Sequence, residues 1–242
     1  RPGAEPEEVV VAFPWRRRQA AEAFAARIRD LLVATLDGRR SIDRAVHEAA
    51  AGLDNVEAGP APPVLSPTVP IVAVTGTNGK TTTVRLTAHL AREAGWIVAC
   101  TTTDGVYRDE VLIEEGDYSG FSGAARALGT PGLNLAVLET ARGGILLRGI
   151  GTTHNDVAVV TNITEDHLDQ YGIRTLDQLA EVKASITRIT KPDGWAVLNA
   201  DDPRVLAMRR QATGRSWIFS LAVANPALRA TLPDPGQVHP AP

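Results

Sequence analysis

Residues 72–83 read Val72-Ala-Val-Thr-Gly-Thr-Asn-Gly-Lys-Thr-Thr-Thr83. An apolar run ends at Thr75-Gly76, the chain turns through Asn78-Gly79, and a helical pattern opens at Lys80. A strand, a glycine loop and a helix N-terminus, in that order, aim backbone N–H groups and a helix dipole at one point, which suits a phosphate. Gly76 and Gly79, with Thr77 and Asn78 between them, let the backbone come close to such a ligand. Lys80 brings a point charge to the outer phosphates, Thr81 brings a hydroxyl for magnesium, and Thr82 continues the first turn. The strict G-x-x-x-x-G-K-[ST] spacing is not met, because its first glycine position holds Val74. What stands here is the shorter T-G-T-N-G-K-T form. An ordinary strand–helix turn containing Gly-Lys-Thr is the plain alternative, and the flanking strand and amphipathic helix argue against it.

On either side of this loop the pattern is regular. Strand Ile71–Thr75 is predicted to lead into helix Thr81–Ala94, then strand Trp96–Thr102, a small hairpin within Asp104–Gly116, and a helix around Ser119–Leu128. Strand Leu135–Thr140, a short helix near Gly144–Leu147 and strand Val157–Thr161 follow. Then come helix Thr175–Thr190, strand Trp195–Asn199, helix Pro203–Gln211 and strand Ser216–Ser220. Strands alternating with helices predict an α/β fold, a mostly parallel doubly wound sheet with helices on both faces. Ligands of such sheets collect outside the carboxyl ends of the strands. The polar clusters at 75–82, 101–104, 139–144, 161–167 and 199–202 all fall at such ends.

Upstream, Val9–Phe13 reads as a strand, Trp15–Leu36 as a helix with Ala21, Phe24, Ala25, Ile28, Leu31 and Leu32 on one face, and 41–51 as a second helix N-capped by Ser41. Pro60, Pro62, Pro63, Pro67 and, just beyond, Pro70 mark a linker. The expected division is a small accessory segment at 1–53, a linker at 54–69, the main domain at 70–221 and an irregular proline-rich tail at 222–242, whose prolines break helix and strand alike.

The 242 residues, 44% hydrophobic and 22% charged, have the composition of a globular chain with a core. A formal net charge of −3 argues against a nucleic-acid partner, which calls for a basic face. No run of 18 apolar residues occurs, so no membrane partner is expected, and no signal-peptide pattern is visible. Cys100, the single cysteine, is expected to be a buried strand residue. A cytoplasmic location is the simplest expectation. The sequence opens on Arg1 rather than methionine, so that residue is read as a boundary.

Of 25 basic residues only Lys80, Lys183 and Lys191 are lysines. Lys183 sits at i+7 of a helical seam formed by Leu176, Leu179 and Ile186, and so faces inward. A buried ammonium tends to lose its charge, and a neutral amine can take up carbon dioxide to become a carbamate that reaches a metal, which arginine cannot do. A snorkelling lysine is an equal alternative. Lys191-Pro-Asp-Gly194 reads as a plain turn without function. Glu139, ending an apolar strand, reads as a magnesium ligand, the alternative being a capping glutamate or one paired with Arg142. Asn162, Glu165, Asp166 and His167 stand together after the next strand. Taken alone, His167 reads more readily as a structural histidine than as a ligand of a hard cation. Asn199 and Asp202 border the same end, although Asp202 with Pro203 reads equally as an N-cap followed by an N1 proline.

Together these segments resemble the ATP-binding central domain of the Mur ligase family over about residues 71–221. The residues carrying the resemblance are T-G-T-N-G-K-T-T, Glu139, N-x-x-x-D-H-L-D at 162–169, Lys183 sixteen residues after His167, and L-N-A-D-D-P at 198–203. T-T-T-D-G-V-Y at 101–107, G-D-Y-S-G at 116–120 and L-E-T-A-R-G-G-I-L at 138–146 look most like the cyanophycin synthetase branch. The resemblance implies an ATP-dependent ligase that joins a small-molecule or peptide carboxylate to an amino acid through an acyl phosphate. Lys80 and the loop would hold the ATP phosphates, Thr81 and Glu139 one Mg2+, and His167 with a carbamylated Lys183 a second. It also implies an H-N-x-x-N segment and a C-terminal domain, neither visible after Leu221, so a missing C-terminal domain is expected to be needed for activity. A P-loop kinase or switch would explain 75–82 but leave Lys183 and Asp166-His167 idle. A nucleotide-binding fragment without ligase activity is the non-enzymatic alternative.

Overall fold

The computed structural model describes residues 11, 17–36, 41–54, 56–57, 59–60, 64–165, 172–222 and 224–230. The chain divides into two compact units, Arg1–Pro63 and Val64–Pro242.

The first unit holds a pair of helices, α1 (Arg18–Leu36) and α2 (Ile42–Ala51), packed on each other with Ala45 buried. Ser41 occupies the N-cap position of α2 in extended conformation, as its sequence predicts, but its hydroxyl makes no capping bond. The strand expected at 9–13 lies outside the described residues, apart from Val11.

The second unit is built on strands β1 (Ile71–Thr75), β2 (Val98–Thr101), β3 (Gly105–Arg108), β4 (Val111–Glu115), β5 (Leu135–Glu139), β6 (Asn155–Val160), β7 (Thr190–Asn199) and β8 (Arg215–Phe219). They form one sheet in the order β4-β3-β2-β5-β1-β6-β7-β8. Six strands pair in parallel, and in the expected hairpin β3 runs antiparallel to both β2 and β4, so β3 alone of the eight runs against the rest. Side chains alternate across the sheet. Val74, Val98, Cys100 and Val137 meet Val84 and Ala88 of α3 (Lys80–Glu93) on one face. Ile71, Ala99, Ala136 and Leu138 meet Ala124 and Ala127 of α4 (Phe121–Leu128) on the other. Further along that second face, Ala73, Ala158, Val160, Ala196, Leu198 and Ile218 pack on α6 (Leu176–Arg188) and α7 (Pro203–Ala207). A short α5 (Arg142–Arg148) follows β5.

Four expectations change. Lys191–Gly194 is an excursion inside β7 and not a turn before it: β6 pairs Asn155 with Thr190 and then Val157 with Trp195, so the proline and glycine bulge out between two paired positions. Lys191 is not idle either. Its Nζ lies 2.7 Å from Asp156 Oδ1, and Asp156 Oδ2 accepts the Ile71 N–H at 2.8 Å, tying down the start of β1. Past Ala222 the chain is not wholly irregular, since Pro226–Arg229 forms a short helix, α8. Pro226 stands at N1, where its missing N–H costs nothing, and the Asn225 side chain caps the turn. The helix predicted over 203–211 tightens after Ala207 into a 3-10 turn, Met208–Arg210.

Candidate functional site

The carboxyl end of β1 lies between those of β5 and β6, and the three converge on the loop at 76–79. Gly76 has φ +148°, and a Cβ there would lie 1.8 Å from Thr161 Oγ1. Gly79, at φ +81°, is the left-handed N-cap of α3. Both positions therefore need glycine. Lys80 Nζ donates to the Thr77 carbonyl at 2.8 Å, folding back over its own loop. Thr82 is exposed beside it.

Thr81 points the other way. Its hydroxyl donates to Glu139 Oε2 at 2.8 Å, so the expected pair of oxygen groups does meet, and the partner of Glu139 is this hydroxyl. Glu139 is 2% exposed, and its Oε1 is buried without a hydrogen-bond partner among the described residues. Burial raises its pKa above the usual carboxylate value, with Asp117 and Asp104 adding to the rise; the Thr81 hydroxyl and the Lys80 charge oppose it. An orphaned buried carboxylate oxygen beside a hydroxyl is a donor set of the hard-oxygen kind that Mg2+ takes. Among the described residues no three His, Cys, Asp or Glu side chains group closely enough to hold a metal ion.

Lys183 is 3% exposed, facing inward as its spacing predicts. Its Nζ donates to the Gly76 carbonyl, which places the buried amine under the phosphate loop itself. Asp166, His167 and Asp169 lie outside the described residues.

Asn199 and Asp202 turn inward to the backbone. Asn199 Nδ2 donates to Thr161 O at 2.8 Å, and its Oδ1 accepts from the Asp201 N–H at 2.9 Å. Asp202 caps α7 by accepting from Arg204 and Val205, while its other oxygen takes the Ile163 N–H at 2.6 Å. Both side chains thus brace the strand end at 161–163.

On the β2 side, Arg85 follows Thr81 by one helical turn, so the two share a flank of α3. Its Nη2 donates to Asp104 Oδ2 at 2.7 Å and Tyr107 Oη at 2.9 Å, with the guanidinium over the Tyr107 ring. Cys100 is buried as expected, and its thiol is pushed up to about 11, chiefly by burial, which disfavours the thiolate. Sequence reasoning missed how Thr161, Asn162 and Thr164 grip the loop. Their polar character at a strand end was visible, but their partners lie more than 80 residues away.

Comparison with known proteins agrees with this arrangement. The Mur ligase middle domain model matches residues 74–232. The cyanophycin synthetase of Crocosphaera subtropica is 49% identical over 164 residues, covering 68% of this chain and 19% of that protein. The UDP-N-acetylmuramoylalanine–D-glutamate ligase of Anaeromyxobacter dehalogenans is 38% identical over 160 residues, 66% of this chain and 30% of that protein. Among solved structures, a UDP-N-acetylmuramoyl-L-alanyl-D-glutamate–2,6-diaminopimelate ligase superposes with a TM-score of 0.55 at 29% identity, over 66% of this chain and 34% of that one. The chain therefore spans about a fifth of the cyanophycin synthetase and about a third of the ligases it matches. With more than half of its residues inside the family model, the chain belongs to the Mur ligase family and carries its middle domain.

Proposed function

We propose that Val64–Pro242 is the ATP-binding unit of an ATP-dependent ligase that joins a carboxylate to the amine of an amino acid. The observation that carries this reading is the Thr81–Glu139 pair at the mouth of the 76–81 loop, with one glutamate oxygen buried and unmatched. In the reaction a substrate carboxylate oxygen attacks the terminal phosphorus of ATP and ADP leaves. The amine nitrogen then attacks the acyl carbon, phosphate departs with the bonding pair, and the nitrogen loses a proton to give the amide. Gly79, Lys80 and Thr81, at the start of α3, present helix N–H groups to the phosphates. Lys80 leaves the Thr77 carbonyl to meet the outer phosphate charge. Thr81 and Glu139 would hold a divalent cation, Mg2+ being the one their hard oxygens suit, and one bound there would supply charge neutralisation for phosphoryl transfer. His167 and a carbamylated Lys183 are candidate ligands of a second cation beside the acyl group. Asn199 and Asp202 keep the wall of the nucleotide site in place. Similarity to the cyanophycin synthetase supports a peptide-like carboxylate and an amino acid as substrates, and the short span of the relatives supports a need for further domains.

Lys80→Ala tests this. In isothermal titration of the folded variant with ATP and Mg2+, affinity is expected to fall at least about tenfold, the loss of one charge-assisted phosphate contact. Unchanged affinity would falsify the assignment.

A further inference from the structure

Asn162 makes an unusual use of its side chain. Its Oδ1 accepts the Asn78 N–H at 2.9 Å and its Nδ2 donates to the Asn78 carbonyl at 3.2 Å, so one carboxamide closes on both backbone polar groups of a single residue. Its own carbonyl accepts the Thr77 N–H at 2.8 Å. The neighbours add to the grip. Thr161 Oγ1 donates to the Asn78 carbonyl at 2.7 Å. Thr164 N–H donates to Thr77 Oγ1 at 3.1 Å, and Asn78 Nδ2 donates to Thr164 Oγ1 at 3.2 Å. From behind, Asn199 holds Thr161 and Asp202 holds Ile163. From below, Lys183 holds Gly76.

The consequence is geometric. Fixing both the N–H and the C=O of Asn78 fixes the two peptide planes that meet there. The next residue is Gly79, whose left-handed conformation starts α3. A loop with glycines at 76 and 79 would otherwise sample many backbone states, and ordering them would be charged against ligand binding. The N–H groups of Thr77 and Asn78 are already spent on Asn162. The open donors for a phosphate are therefore those of Gly79, Lys80 and Thr81, which the clasp aims.

We propose that Asn162 is the positioning residue of the phosphate loop: its carboxamide clasp on Asn78 holds the loop ready for nucleotide, and Asn199 and Asp202 hold the clasp. Only an amide of this length serves. Aspartate keeps the acceptor for the Asn78 N–H but has no donor for its carbonyl, and glutamine is one methylene too long. The proposal rests on the reading of 76–81 as a phosphate loop, but its structural half can be tested without nucleotide.

The experiment compares the 242-residue chain with its Asn162→Ala and Asn162→Ser variants. It uses amide hydrogen exchange in the absence of nucleotide, thermal melting, and titration with ATP and Mg2+. Exchange of the Thr77 and Asn78 amides is expected to rise at least about tenfold in both variants, with melting temperatures within a few degrees of the parent. ATP affinity is expected to fall by roughly ten- to thirtyfold. Unchanged exchange at Asn78 overturns the clasp. Raised exchange with unchanged or tighter ATP binding overturns the positioning role and makes Asn162 a competitor of phosphate. If the parent chain binds no ATP, the nucleotide reading fails, while the exchange result still decides the clasp.

Discussion

Glu139 is the residue on which most depends, and its burial has a measurable cost. Its carboxyl is held above the ordinary value of 4.5, first by desolvation. A group whose folded pKa is raised favours the fold while it is protonated and loses that contribution as pH rises through the folded value. The metal-free protein is therefore destabilised by this group from about pH 4.5 upward. Glu139→Gln removes the charge and keeps the shape. In EDTA the variant should melt higher than the parent at pH 7.5, and the gap should close toward pH 4. Equal melting temperatures across that range would show that the charge is compensated within the protein. The carboxylate and the inward Lys183 were both legible in the sequence, the first from its place at a strand end, the second from helical spacing, which is local. The clasp of Asn162 on Asn78 was not, because nothing near either asparagine specifies a partner 84 residues away.

At the scale of elements, the same distinction separates what sequence predicts from what it does not. Thr175 and Gln178 form a full capping box at the start of α6, and Asp202-Pro203 starts α7 as N-cap and N1. Both signals lie within four residues. Most helices and strands of the second unit followed from periodicity with boundaries displaced by a residue or two, whereas β7 begins at Thr190, α7 ends at Ala207 and α8 had no such signal. The pairing of the Lys191–Gly194 excursion with β6 is non-local, so its local signals read as a turn, and Pro226 reads as a breaker although position N1 makes it a helix starter. Asp202 shows how one residue joins two elements, capping α7 with one oxygen and holding Ile163 after β6 with the other. Asp202→Ala removes a cap and orphans the Ile163 N–H, and should cost about 2 kcal/mol in urea unfolding. A change below about 0.5 kcal/mol would mean that water replaces both bonds.

For the molecule as a whole, the sheet order explains why scattered sequence clusters form one site. β1 is flanked by β5 and β6, so the residues that follow these three strands (76–81, 139–142 and 161–164) border one crevice at their carboxyl ends. The turn between β2 and β3 sets Asp104 against Arg85 of α3. The family model begins within β1 and lies wholly in the second unit, and the helical pair at 18–51 carries no comparable motif, which is why its role was not legible. Among the described residues no helix is long and apolar enough to cross a membrane. The central claim is that the loop and the Thr81–Glu139 pair bind nucleotide and cation together. Its most direct test is calorimetric titration of the 242-residue chain with ATP, with Mg2+ and with EDTA, for the parent and for Glu139→Gln. Mg2+ should strengthen ATP binding at least about tenfold in the parent, because Thr81 and Glu139 would hold the cation, and should give little gain in the variant. An equal gain in both, or no ATP binding by the parent with Mg2+ present, would contradict it.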